Sequence, residues 1–214
     1  MRRLVELPFE HCKSKYKVPS TISEGNGPMP KLIVFNHISL DGYFVDANNQ
    51  MSWAKNHVDD EWNSFVTENA KGGGVLLFGR VTYQMMASFW PTEAASQSMP
   101  EVALQMNNLP KVVFSRTLDE ATWNNTRLVK NNLIDEVIKM KAGDGEGMAL
   151  MGSGTIVSQL TQANLIDEFQ VVVNPVILGK GRTMFEGDDL KQLRLTKTRT
   201  FKNGNVFVSY EPTS

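Results

Sequence analysis

Three short stretches place glycine, hydroxyl and guanidinium groups where an apolar run stops: Gly79-Arg80-x-Thr82, Ser115-Arg116-Thr117 and Gly152-Ser153-Gly154-Thr155-Ile156. Each residue type has its own use against an anionic ligand. Glycine lets the backbone come close because no Cβ intervenes. Arginine offers a planar, permanently charged fork that matches phosphate. Serine and threonine hydroxyls can donate to phosphate oxygens. A helix that begins directly after the glycine adds unpaired N–H groups and the positive end of its dipole. Arg80 and Arg116 are therefore candidates for a terminal phosphate, with Thr82 and Thr117 beside them, and the helix after Gly154 is a candidate for a pyrophosphate. The recurrence carries the reading. Alone, Gly152–Val157 lacks the third glycine of a dinucleotide fingerprint, and a single arginine is ordinary surface chemistry.

Other reactive residues are less informative. His11, His37 and His57 lack a second ligand at metal-binding spacing, so no metal site is expected. His37, directly after a strand, reads as structural. Asp59, Asp60 and Glu61 crowd a helix start, where acids complement the dipole. Asp41 is the candidate proton donor on the substrate side, although an aspartate before a glycine is also common turn chemistry. Gly179-Lys180-Gly181 lacks P-loop spacing and reads as a turn.

The elements that must position these groups follow from periodicity. Strands are expected at Lys31–Asn36, Val75–Phe78, Lys111–Ser115, Arg127–Val129, Met148–Met151 and Phe169–Val173. A loop is expected from Ser39 to Trp53. Helices are expected at Asp59–Lys71, with Trp62, Phe65, Val66 and Ala70 on one face, at Thr82–Ser88 and at Leu133–Lys141. Another follows Gly154, carrying Ile156, Val157 and Leu160. Leu193–Phe201 and Val206–Tyr210 flank Asn203-Gly204, a hairpin signal. The alternation argues a single α/β domain: a mainly parallel central sheet flanked by helices, with an antiparallel C-terminal hairpin. Ligands of open α/β sheets bind outside the carboxyl ends of the strands. The three glycine- and arginine-bearing stretches stand at such ends.

Size and composition exclude several roles. A chain of 214 residues suits one domain, and a net charge of -1 argues against general nucleic-acid or membrane-surface binding. No apolar run approaches the roughly 18 residues of a membrane-spanning helix. The single cysteine, Cys12, cannot pair within the chain, so a cytoplasmic location is the expectation. Residues 1–30 lack periodicity, and Ser23–Pro30 is rich in breakers. They read as a flexible N-terminal extension, leaving 31–214 as the domain.

In order and spacing, the motifs resemble the dihydrofolate reductase-like superfamily. The closer resemblance is to the reductase domain of the bifunctional riboflavin-biosynthesis deaminase–reductase and its stand-alone relatives. The matching pieces are SLDGYF (39–44), FGRVTY (78–83), KVVFSRTL (111–118), MGSGTIVSQL (151–160), LIDEFQVVVNPVILGKGRTMF (165–185) and FKNGNVFVSY (201–210). No zinc-deaminase signature is present. The resemblance implies an NADPH-dependent reductase of a small heterocyclic substrate, of the 5-amino-6-(5-phosphoribosylamino)uracil reductase type. It assigns Gly79, Arg80 and Thr82 to the first nucleotide turn, and Ser115, Arg116 and Thr117 to the adenosine 2′-phosphate. Gly152, Ser153, Gly154, Thr155 and Ile156 fall to the pyrophosphate. Ser39, Asp41, Gly42 and Trp53 are assigned to the nicotinamide and substrate side, and Arg182 is a candidate at the cleft mouth. A homodimer is implied, with the apolar Val171–Leu178 region contributing. A pterin reductase and a non-catalytic NADPH-binding protein are the alternatives.

Overall fold

Apolar runs of four to eight residues form the central strands, and alternate side chains face opposite layers of the sheet. The computed structural model describes residues 29–56, 59–187 and 190–213; His11, Cys12, His57 and the expected extension up to residue 28 lie outside them. In chain order the elements are β1 (Leu32–Ser39), β2 (Tyr43–Asp46), α1 (Asp60–Ala70), β3 (Val75–Gly79), α2 (Arg80–Phe89), α3 (Glu93–Ser98) and α4 (Pro100–Asn108). They continue through β4 (Lys111–Phe114), β5 (Thr126–Val129), α5 (Leu133–Lys141), β6 (Met148–Met151), α6 (Gly154–Gln162) and β7 (Glu168–Asn174). Last come β8 (Gly181–Thr183), β9 (Leu193–Thr200) and β10 (Val206–Pro212).

Eight strands make one sheet in the order β5-β4-β3-β6-β1-β7-β10-β9. The first six run parallel, and β10 pairs antiparallel with both β7 and β9. The period of two is plain on β3. Leu77 joins Val112, Leu150, Val137 and Val157 on the face covered by α5 and α6. Leu76 and Phe78 join Tyr83, Val102, Met106 and Trp123 on the face covered by α2 and α4. On that second side, α1 lays Trp62 and Phe65 over Val172, Phe201 and Phe207. Both faces are buried, as a parallel sheet requires. The mixed α/β fold with its antiparallel end is the one expected from the sequence.

Four local expectations need correction. β1 runs on to Ser39, because its far end pairs with β7 from His37↔Val172 to Ser39↔Asn174. The expected loop after it contains β2, which pairs with β8 in a separate two-stranded ribbon. A partner that distant leaves no local pattern. Helices α3 and α4 fill the stretch between Pro91 and Pro110, where the sequence reading placed no element. Helix α2 starts at Arg80, with Gly79 itself as the N-cap, and not at Thr82.

Candidate functional site

Parallel pairing puts four neighbouring strand ends on one rim. β5, β4, β3 and β6 stop at Val129, Phe114, Gly79 and Met151; β3 passes directly into α2, and the other three are followed by turns. These turns border a single cavity of about 750 Å³. Gly79, Arg80 and Thr82 line it from the β3 end, and Ser115 and Arg116 from the β4 end. Ser153, Gly154, Thr155 and Ile156 line it from the β6 end. The three stretches singled out in the sequence therefore share one cavity.

The charge pattern is one-sided. Arg80, Arg116, Lys130 and Arg182 line the cavity, and among the described residues no aspartate, glutamate or histidine does. Arg80 reaches Gln84 Oε1 at 3.1 Å along its own helix, and Arg182 pairs with Glu186 at 3.3 Å. Among the described residues, no ion pair engages Arg80, Arg116 or Lys130. The helix ends point the same way. α1 is capped by Asp59, which accepts from Trp62 N–H, and α3 by Thr92. The helices that reach the cavity, α2, α5 and α6, have no side-chain cap, as is also true of α4 away from it. Their N-terminal N–H groups and dipole ends favour an anion.

Close packing joins the first and third turns. Ser153 Oγ accepts from Gly79 N–H at 2.7 Å and pairs with Thr82 Oγ1 at 3.1 Å. A Cβ on Gly79 would strike the Ser153 side chain. Gly152 has φ of +64°, and a Cβ there would lie 2.6 Å from Thr82 Oγ1. Only glycine suits either position.

Residues 30–207 match the RibD C-terminal domain family. The chain belongs to that family. Uncharacterized protein YyaP of Bacillus subtilis (strain 168) is 27% identical over 183 residues, covering 84% of this chain and 94% of YyaP. Among solved structures, a Shewanella sp. PV-4 protein named for riboflavin biosynthesis aligns with a TM-score of 0.65 at 23% identity, over 86% of this chain and 99% of that one. Dihydrofolate reductase from Enterococcus faecalis, solved with NADP(H) and RAB-propyl, aligns with a TM-score of 0.55 at 14% identity, over 86% and 97%. Both structural likenesses are of fold. They bear out the resemblance read from the motifs.

Two family-assigned cofactor residues sit outside the cavity wall. Thr117 is exposed beyond it, its N–H turned to Ser115 Oγ. Gly152 lies behind it, donating its N–H to Asn36 Oδ1 at 2.7 Å. The four substrate-side residues also miss the wall. Ser39 is fully buried, its hydroxyl bonded to the Tyr43 backbone. Gly42 turns the chain, and Trp53 donates its indole N–H to Gln50 O. Asp41 is a loop anchor: its carboxylate accepts from Gly179 N–H at 2.7 Å and from Leu178 N–H at 3.1 Å. Hydrogen bonding to Ser39 and to these two amides holds the Asp41 carboxyl below the usual carboxylate range. The same bonds favour its ionised form.

The acids at the start of α1 are likewise structural. Asp59 is the cap, and Glu61 pairs with Arg199 at 3.2 Å. The segment after β1 does reach the cavity, through Phe44, Val45, Asn49 and Met51. Sequence reasoning also missed Lys130, Asn131, Asn132 and Leu133, the turn between β5 and α5. The signal was weak but present: a basic residue just past a short strand, before an apolar-faced helix.

Proposed function

We propose that this chain is an NADPH-dependent reductase that transfers a hydride to a polarised carbon of a small heterocyclic substrate, of the riboflavin-pathway pyrimidine type. One observation carries it: four adjacent strand ends deliver cations free of ion pairs, the constrained Gly79 and three helix N-termini without a side-chain cap to one cavity that, among the described residues, no acid lines. About 750 Å³ falls within the usual range for ligand pockets. The names of the Shewanella and Enterococcus proteins, for riboflavin biosynthesis and for a complex with NADP(H), point to the same chemistry.

When bound, NADPH supplies the hydride, and the protein supplies position and electrostatics. Arg80, Arg116 and Lys130 would neutralise phosphate, with Ser115 beside them. The backbone of Gly154–Ile156 at the head of α6 would hold the pyrophosphate. Phe44, Val45 and Met51 are the apolar cover that limits water. We assign the proton that accompanies the hydride to solvent, because among the described residues no carboxyl or imidazole lines the cavity that Arg182 borders. That same lack of an acid favours, as a second reading, a protein that binds NADPH without turnover. The homodimer is proposed with it; Val171 and Val172 are interior, so Ile177, 70% exposed, is the apolar group that region offers.

The test is direct. Titrate the protein with NADPH and NADH, then follow NADPH oxidation with the riboflavin-pathway pyrimidine and with dihydrofolate. Tight NADPH binding and turnover of the pyrimidine support the proposal, and turnover of dihydrofolate alone replaces it with a pterin reductase. Tight binding with no turnover on any substrate leaves the non-catalytic reading, and no binding of either nucleotide overturns both.

A further inference from the structure

We infer that Ser153 is a positioning residue: its hydroxyl latches the β3–α2 turn to the β6–α6 turn and fixes the spacing at which both address one ligand. The inference rests on the dinucleotide reading for the identity of that ligand, and on geometry for the latch itself. The ladder between β3 and β6 runs only from Val75↔Met148 to Leu77↔Leu150. Beyond it the two strand ends have no backbone pairing, and Ser153 Oγ makes the next tie, accepting from Gly79 N–H at 2.7 Å. The same oxygen is 3.1 Å from Thr82 Oγ1 on the first turn of α2.

The backbone of Ser153 shows that this contact is built at a cost. Five non-glycine residues among those described have positive φ, and the other four are asparagines: Asn49, Asn125, Asn132 and Asn164. Asparagine visits the left-handed region comparatively readily, whereas other residues pay about 1–2 kcal/mol for it. Ser153 is held there, at φ 61° and ψ 69°, with no side-chain cap bond to its own helix. Its hydroxyl reaches across to the other turn instead. Gly79 and Gly152 leave the room: a Cβ at either would meet Ser153 or Thr82. The Ser153 hydroxyl, which the family resemblance places at the pyrophosphate, accepts from Gly79 N–H and shares a hydrogen bond with Thr82, and its effect on the ligand is inferred to run through these two residues.

Two variants of the full chain test this. Ser153→Ala removes the hydroxyl, and Ser153→Gly removes it while relieving the left-handed backbone, so the second keeps the fold if the first does not. Calorimetric titration with NADPH is expected to show binding weakened about 3- to 10-fold in both, the worth of one hydrogen bond. Adenosine 2′-monophosphate, which carries no pyrophosphate and so does not span the two turns, is expected to bind both variants as it binds the native chain. Thr82→Val added to Ser153→Ala is expected to cost little more than either alone. Equal weakening for both ligands, or native NADPH affinity in Ser153→Gly, overturns the latch. Amide exchange of Gly79, read by NMR without ligand, decides it independently: faster exchange in both variants supports the tie, and unchanged exchange overturns it. If the native chain binds no NADPH while Gly79 exchange responds, the dinucleotide reading fails and the tie between turns stands.

Discussion

Along the carboxyl rim of the sheet, the ends of β5, β4, β3 and β6 carry glycine, hydroxyl and cationic groups open to the cavity, whereas the ends of β1 and β7 are packed with polar side chains engaged by their neighbours. Asn36 bonds Gly152 N–H and Met184 Sδ. Ser39 holds the Tyr43 backbone. Asn174 Nδ2 lies 3.1 Å from the carbonyls of Ile38 and Val172 and 3.3 Å from His37 Nδ1, while its buried Oδ1 is the exception, with no partner among the described residues. His37 itself stands edge-on to Phe35 and Trp62, and burial pushes its imidazole down to about 4, outweighing the bond to Asn174. Hydroxyl and amide side chains occur in both regions, the cations only in the first, and engagement differs. A polar group whose partners are already in the protein holds the fold; one left facing a cavity can hold a ligand.

The sharpest way to break this contrast is at a glycine of the open half. Gly152→Val forces a β-branched residue into φ +64° and drives it against Thr82. It is expected to destabilise by about 2–4 kcal/mol in urea denaturation and to abolish NADPH binding. Native stability and affinity would dissolve the distinction between the two halves. Next come the cations. Arg80→Ala or Arg116→Ala is expected to weaken NADPH by roughly 10- to 100-fold with NADH much less affected, because each removes a charge-assisted bond to phosphate. Equal losses for both cofactors would remove the 2′-phosphate assignment. Lys130→Ala is expected to follow the same pattern more weakly, with reduced sensitivity to salt.

The packed half has its own signature in pH. His37 has a folded value of about 4 against 6.5 in the unfolded chain, so the unfolded state takes up the proton first as pH falls. Stability is therefore fully present above about 6.5, is lost as pH falls toward about 4, and levels off below, with a slope of at most about 1.4 kcal/mol per pH unit. His37→Gln is expected to flatten that part of the stability curve; an unaltered slope would show that the ring titrates freely. The smallest effect belongs to Asp41→Asn. It loosens the ties to Leu178 and Gly179 and lowers Tm slightly, while NADPH affinity and the pH–rate profile stay as in the native chain. A large drop in kcat with affinity intact would return the proton donor to the β1 end.

Much of the fold was legible because its signals are local. Alternating apolar runs, the Asn203-Gly204 turn and the Asp59 helix start each act within a few residues, and all appear where periodicity puts them. The family motifs likewise identify residues 31–210 from linear order alone. The β2–β8 ribbon was not legible, since four residues and three residues gain their pairing only from each other across the chain. Lys130 was passed over for a related reason. Nothing local distinguishes it from any surface lysine until β5 pairs beside β4 and brings it next to Arg116's turn.

The sequence by itself determined that this is an α/β domain with anion-suited turns at the ends of three strands, because strand period, glycine freedom and side-chain charge are properties of short segments. Only the tertiary structure decided that those turns meet. The insertion of β6 between β3 and β1 is a long-range pairing, and it sets Ser153 against Gly79 and Thr82. The same pairing separates what the sequence had grouped, sending Asp41 to tie a loop and burying Ser39, since hydrogen-bond partners far apart in the chain are chosen by register and not by composition.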